Sequence, residues 1–399
     1  MTTFISTDEL EGASGFTFRS SIAEDVWHAG ARDVGAYEWW YFDAISDDAR
    51  DVLVVIFLAD FVFSPRYNRT VSRHLRQHAN APASSLDAAS VAPRPTQVPA
   101  VAVCLYRDGR PLIRAINEYT PQDFDASTEH PACRIGRNRF QLETTPQETR
   151  YTITLDETLR RNQRLAATLH WTMLEGDFSK QHPSHQSTAS PNQATASPNL
   201  GAHAHLWNMV APRCRVSGTF NFIDPDGRAT EQHFRGTGYH DHNRDRRWMP
   251  AAIDRWQWGR AHFEDATAVF YRYRERGDTT DTTRLFLIRH GELNAFAPRF
   301  TATHPRRDIF GIRYPRHMRF ASHDENAPLA LDIHQHRVID RSYFYLRFLG
   351  QASLTIADAR TRHATAITEH LAPRALRYRW LDWLTSMRIG RPGRASLLK

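Results

Sequence analysis

The strongest constraint on the fold is a pattern that occurs twice. Glu38-Trp39-Trp40-Tyr41-Phe42-Asp43-Ala44-Ile45-Ser46-Asp47-Asp48 precedes an apolar segment at 52–57. Arg255-Trp256-Gln257-Trp258-Gly259-Arg260-Ala261-His262-Phe263-Glu264-Asp265 precedes another at 268–274. Each reads as aromatic strand, acidic turn, apolar strand. A repeated unit of this kind implies two related β domains, the second starting near Trp248. Further short segments rich in β-branched and aromatic residues lie at 100–106, 151–155, 216–222 and 285–288. Turn signals such as Arg107-Asp108-Gly109 and Arg276-Gly277-Asp278 separate them. Many short strands with hairpin-like turns predict an all-β, antiparallel sandwich or barrel.

The 399 residues leave room for two cores. With 41% hydrophobic and 24% charged residues, the composition excludes a wholly disordered chain, a collagen and a coiled coil. Segments 81–97 and 178–203 are rich in Ala, Ser, Thr, Pro and His and read as flexible insertions. The domain plan is therefore an N-terminal segment 1–24, a first domain 25–247, a second domain 248–370 and a basic tail 371–399. In that tail Leu376, Trp380, Trp383, Leu384 and Met387 recur at helical spacing and predict a short C-terminal amphipathic helix.

Charge is concentrated there as well. The whole chain carries +7. The tail holds Arg374, Arg377, Arg379, Arg388, Arg391, Arg394 and Lys399 against Asp382 alone, which leaves the body nearly neutral and argues against a nucleic-acid partner. Two placements are open for the tail: resting on an anionic membrane surface, or packed on the second barrel with a solvated Arg face. No apolar run is long enough to span a bilayer as a helix, and residues 1–18 do not read as a signal peptide. Three cysteines, Cys104, Cys133 and Cys214, have no spacing for a metal knuckle or disulfide framework. A cytoplasmic protein, peripheral to the inner membrane if the tail binds lipid, is the expectation.

The densest polar cluster is Gly236-Thr237-Gly238-Tyr239-His240-Asp241-His242-Asn243. On a strand, Tyr239, Asp241 and Asn243 share one face, His240 and His242 the other. A carboxyl group in an aromatic cavity can act as an acid, with flanking histidines holding its proton or orienting a water. A metal held by His240 and His242, and a strand-end hydrogen-bond network with no chemistry, are the alternatives. In the first aromatic strand, Trp39 and Tyr41 face one way, Trp40 and Phe42 the other. They either fill a core or line an apolar pocket whose rings tolerate cations. Glu38 is a second carboxyl group, or simply a partner for an arginine.

Arg289-His290-Gly291 after an apolar strand imitates a phosphohistidine signature, but the residues after it do not read as a helix start. The pairs His203/His205 and His334/His336 read as surface or strand-face histidines. No phosphate-binding glycine loop or nucleophile elbow is present, so no nucleotide cofactor is expected.

These elements together resemble the carotenoid 1,2-hydratases, also called hydroxyneurosporene synthases. The Trp-Trp-Tyr element at 38–48, Phe63-Ser64-Pro65-Arg66-Tyr67, His205-Leu206-Trp207, Ala211-Pro212-Arg213 and the run 236–243 occur in that family's order. The resemblance implies two lipocalin-like antiparallel β-barrel domains. It implies hydration of a terminal C=C of an acyclic carotenoid or related isoprenoid without a cofactor. Asp241 would be the acid and His240 and His242 would tune it. Trp39, Trp40, Tyr41, Tyr239, Glu38, Asn243 and Trp258 would contact an apolar substrate. Departures exist: Glu38 before the Trp pair, Arg244-Asp245 after Asn243, and Ala59-Asp60-Phe61-Val62 in place of a small Gly-containing segment. A cyclase or isomerase using the same acid, and a carrier of an apolar ligand, remain the alternative functions.

Overall fold

A computed structural model describes residues 16–28, 33–78, 97–180, 205–223, 227–323, 328–357, 360–392 and 394–398. Of the insertions expected at 81–97 and 178–203, residues 81–96 and 181–203 lie outside this set, as do residues 1–15 of the N-terminal segment and His203. The chain is mostly β, in two curled antiparallel sheets.

The strands before residue 246 are β1 (Phe16–Arg19), β2 (Tyr37–Ser46), β3 (Asp51–Leu58), β4 (Ala100–Arg107), β5 (Arg110–Glu118), β6 (Phe124–Ala126), β7 (Ala132–Ile135), β8 (Asn138–Thr144), β9 (Thr149–Thr158), β10 (Arg164–Glu175), β11 (His205–Ile223) and β12 (Ala229–Asp245). Helix α1 (Pro65–His78) follows β3. The first sheet has the order β5-β4-β3-β2-β12-β11-β10-β9-β8-β7-β6. After the single turn α2 (Met249–Ala252) come β13 (Ile253–His262), β14 (Thr267–Glu275), β15 (Thr282–Arg289), β16 (Glu292–Phe296), β17 (Arg299–Arg307), β18 (Arg313–Ala321), β19 (Leu329–Ser342), β20 (Tyr345–Ile356) and β21 (Arg362–Leu371). The second sheet has the order β16-β15-β14-β13-β21-β20-β19-β18-β17.

The two orders share one plan. Four strands meander outward from an aromatic strand, and the last strand of the unit returns to pair with that same aromatic strand. Thus β12 closes on β2, and β21 closes on β13. The sequence repeat marks the two aromatic strands.

By contacts the chain divides into two units. One comprises Ile22–Leu174, Trp207–Met249 and Leu376–Lys399; the other comprises Met1–Ser21, Glu175–Leu206 and Pro250–Ala375. Each has its own apolar core. In the first, Trp40, Phe42, Leu53, Val55 and Phe57 meet Phe140, Tyr151, Leu169 and Trp171. In the other, Ala268, Phe270 and Leu285 meet Phe320, Leu331 and Leu354.

The closing segment from Leu376 on belongs with the first unit. Asp382 pairs with Arg69 of α1 at 2.9 Å, and the Gly390 N–H donates to the Ile116 carbonyl of β5 at 2.8 Å. Its helical pattern is realised only as short turns at Pro373–Arg377 and Arg379–Leu381 followed by α3 (Asp382–Ser386). Arg289-His290-Gly291 ends β15 in a tight turn: His290 and Gly291 have φ of 53° and 75°, and Arg289 pairs with Glu292. It opens a hairpin, not a helix. His205 is a strand-face histidine at the start of β11, fully buried, its Nε2 2.9 Å from the Tyr271 hydroxyl.

Candidate active site

Strand β12 pairs with β2 in an unbroken register from Gly236↔Ser46 to Asp245↔Tyr37. Residues directly opposite share a face, so His240↔Phe42 and His242↔Trp40 lie on one side, Asp241↔Tyr41 and Asn243↔Trp39 on the other. The close approach depends on glycine at 238. A Cβ there would sit 2.6 Å from Trp171 Nε1, whose N–H donates to the Asp43 carbonyl at 3.2 Å.

The histidine side faces the unit's apolar core. The His240 ring stacks on Phe42 at 3.9 Å between centroids, and His242 stacks on Trp40 at 4.8 Å. Both rings are completely buried. Carboxylates from elsewhere in the chain reach them. Asp25 Oδ2 lies 3.0 Å from His240 Nε2 and accepts the Tyr151 hydroxyl at 2.6 Å. Glu38 Oε1 lies 2.9 Å from His242 Nε2 and 3.1 Å from His28 Nδ1. Burial alone would drive His242 toward the neutral ring. The Glu38 hydrogen bond and the charges of Glu38 and Asp25 outweigh it and hold the ring above its ordinary pKa of 6.5. Its Nδ1 faces the Glu24 carbonyl at 3.2 Å, so both ring nitrogens have acceptors, as an imidazolium requires. Ligand atoms of His28, Glu38 and His242 lie within 4.8 Å of one another and could hold a divalent cation. The grouping joins His242 to His28 and Glu38, not to His240.

On the opposite side, Asp241 is 4% exposed and sits among aromatic side chains. Trp207 Nε1 and the Tyr239 hydroxyl each donate to its Oδ2 at 2.8 Å, and Asn243 Nδ2 donates to Oδ1 at 2.7 Å. All three donors are neutral. Tyr41 meets Tyr239 edge-on at 6.3 Å, and Trp39 stacks on Tyr37 at 5.0 Å. Trp207 comes from β11, next to β12 in the sheet, and its two-residue offset from His205 keeps it in strand register.

The structure thus gathers Asp241, Asn243, Tyr239, Tyr41 and Trp39 on one face and separates them from His240, His242, Trp40 and Glu38. The two histidines expected to assist Asp241 lie on the other face of β12, as strand alternation requires of neighbouring residues. Trp258 lies on β13 in the other unit. Three side chains hydrogen-bonded to the candidate residues do not stand out in the sequence: Trp207, Asp25 and His28. Trp207 was visible in the His205-Leu206-Trp207 motif, but nothing linked its indole to Asp241. Asp25 and His28 lie in an irregular stretch whose one signal is an acidic pair ahead of Trp27. A cavity of about 220 Å³ lined by Leu112, Ile113, Leu159, Phe222 and Arg114 contains none of these residues. It is smaller than the ~300–1,000 Å³ of ordinary small-molecule sites.

Comparison with known proteins adds the following. The sequence model of the family described as carotenoid hydratase CrtC matches residues 187–397. A protein of Chlorobaculum tepidum named hydroxyneurosporene dehydrogenase is 27% identical over 386 residues, covering 94% of this chain and 92% of that one. An acyclic carotenoid 1,2-hydratase of Thiocapsa roseopersicina is 24% identical over 279 residues, covering 66% of this chain and 54% of the relative. Among solved structures, CghA with Sch210972 superposes with a TM-score of 0.54 at 14% identity, covering 85% of this chain and 88% of that one. An AttH-type protein of Nitrosomonas europaea gives 0.53 at 16%, covering 88% and 95%. The two structures share the fold.

Proposed function

The chain belongs to the carotenoid hydratase CrtC family, and from that premise we propose that it is a hydro-lyase-type enzyme adding water to the terminal C=C of an acyclic carotenoid or related isoprenoid, with Asp241 as the acid. The observation that carries the reading is the convergence of Trp207, Tyr239 and Asn243 on one buried carboxyl group beside aromatic rings.

Hydration starts with transfer of the Asp241 proton to the less substituted alkene carbon. The π pair forms the new C–H bond and leaves a tertiary cation. As the proton departs, charge develops on Asp241, and the three donors already point at the oxygens that receive it. The faces of Trp39, Tyr41, Tyr239 and Trp207 stabilise the cation. Water attacks the cation, and the carboxylate takes the proton released, restoring the acid. His240 and His242 act as positioning residues: stacked on Phe42 and Trp40 and bound to Asp25 and Glu38, they hold β12 in register with β2, which fixes where Asp241 points. An apolar substrate of this kind partitions into a lipid phase.

The test is incubation of purified protein with acyclic carotenoids such as neurosporene and lycopene, followed by mass spectrometry. A gain of about 18 Da marks hydration. Loss of about 2 Da would mark the dehydrogenation for which the Chlorobaculum relative is named, and an isomer of unchanged mass would mark cyclisation; either outcome overturns the proposal.

A further inference from the structure

Helix α1 and the closing segment make one surface of unusual composition. The helix buries Tyr67 and Val71 and exposes Arg66, Arg69, Arg73, Leu75 and Arg76, and it contains no acid. The closing segment is fixed beside it. Arg69 Nε pairs with Asp382 at 2.9 Å, and Arg379 donates to the Ser72 hydroxyl at 2.9 Å. Leu376 and Ile389 are buried, and Gly390 is hydrogen-bonded to β5 in both directions.

Held in this way, the segment still presents Trp380 at 73% and Trp383 at 57% exposure, and Tyr378 of the segment and Leu75 of α1 are exposed as well. The acids of this region are already engaged: Asp382 by Arg69, and Glu118 by Arg66, Arg391 and Ser64. Among the described residues, no carboxylate pairs with Arg73, Arg76, Arg377 or Arg379. Exposed indoles on a fixed scaffold, borne on the same two elements as guanidinium groups without a carboxylate partner, combine the two terms of interfacial binding: aromatic insertion at the headgroup level and attraction to anionic lipid.

We propose that this surface docks on an anionic lipid bilayer. A second copy of the chain would bring like charges together, so charge complementarity favours the lipid. The proposal is independent of the hydration reading, because binding is scored without turnover.

The test is co-sedimentation of the full chain with vesicles of phosphatidylcholine alone and of phosphatidylcholine mixed with phosphatidylglycerol. Binding to the mixed vesicles should exceed binding to the neutral ones and fall with added salt. Each arginine near an anionic surface contributes about fivefold, so Arg73→Glu with Arg76→Glu should weaken binding by at least about 25-fold. Trp380→Ser with Trp383→Ser should abolish the blue shift of Trp emission on vesicle addition. Truncating the segment is the wrong variant, because it packs on β5 and α1. Equal sedimentation with both vesicle types, or binding indifferent to both double variants, overturns the proposal. So does a concentration-dependent dimer that the Trp variant dissolves in the absence of vesicle binding.

Discussion

The repeat allows the two sheets to be compared residue by residue. Aligning Trp39-Trp40-Tyr41 with Trp256-Gln257-Trp258 sets Asp241, opposite Tyr41, against Glu369, opposite Trp258. It also sets His242, opposite Trp40, against His370, opposite Gln257. The backbone frame is the same, but the partners differ. Asp241 accepts from Trp207, Tyr239 and Asn243, whereas Glu369 accepts from Arg347 Nε at 2.9 Å in a nearly buried ion pair. Next to Glu38, His242 is held above its ordinary pKa; His370 is pushed down to about 4, by burial first and then by Arg255 and Arg272. An arginine beside a carboxylate adds a full opposite charge, whereas the Trp, Tyr and Asn donors add hydrogen bonds. One frame therefore carries different polar partners in the two sheets, and the proposed chemistry belongs to the one without the arginine pair.

The largest test of that contrast is Asp241→Asn. It should lower hydration by about 10²–10⁴-fold, the range for losing a general acid, while near-UV circular dichroism stays native. Near-normal turnover would remove Asp241 from the chemistry. Glu369→Gln should do the reverse. Leaving the Arg347 charge buried without its partner should destabilise by about 3–5 kcal/mol in denaturant titration, with turnover per folded molecule unchanged. Lost turnover there would mean that both sheets are chemical.

Trp207→Phe keeps the ring but removes one donor to the developing carboxylate. A loss of about 10²–10³-fold in kcat is expected, by analogy with removal of a single oxyanion donor. An unchanged kcat would show that the donor only orients the side chain. The smallest effect is titration. In histidine NMR spectra, His370 should titrate near 4 and His242 above 6.5. The linkage signs follow. The raised His242 contributes stability that is complete below about 6.5 and is lost as pH rises through its folded pKa. The depressed His370 costs stability as pH falls from about 6.5 toward 4, where the unfolded chain takes up the proton first. Variants lacking each ring should flatten opposite limbs of the stability profile.

Much of this was legible in the sequence because strand periodicity is local. The two-sheet plan could be read from the repeat at 38–48 and 255–265, and the two faces of 239–243 from alternation alone. The same alternation turns Asp241 away from His240 and His242, even though the three are adjacent in the chain. What could not be read was long-range. The carboxylate on His240 comes from Asp25, 215 residues earlier, and the donor on Asp241 from Trp207 on a neighbouring strand. Register and sheet order decide such meetings, and neither is encoded in the spacing of nearby residues. The periodicity at 376–387 was real but incomplete: Leu376 is buried, while Trp380 and Trp383 point outward.

The docking of the closing segment also has a consequence in time. Leu376–Lys399 completes a unit whose other pieces end at Met249, and the intervening Pro250–Ala375 builds the other unit. At ~5–20 residues per second of synthesis, those roughly 125 residues occupy on the order of ten seconds. For that interval the ends of β5 and α1 emerge without Gly390, Arg391 and Asp382 to cover them. The first sheet made is therefore finished late, and a nascent chain must protect that edge until residues 382–391 have been made.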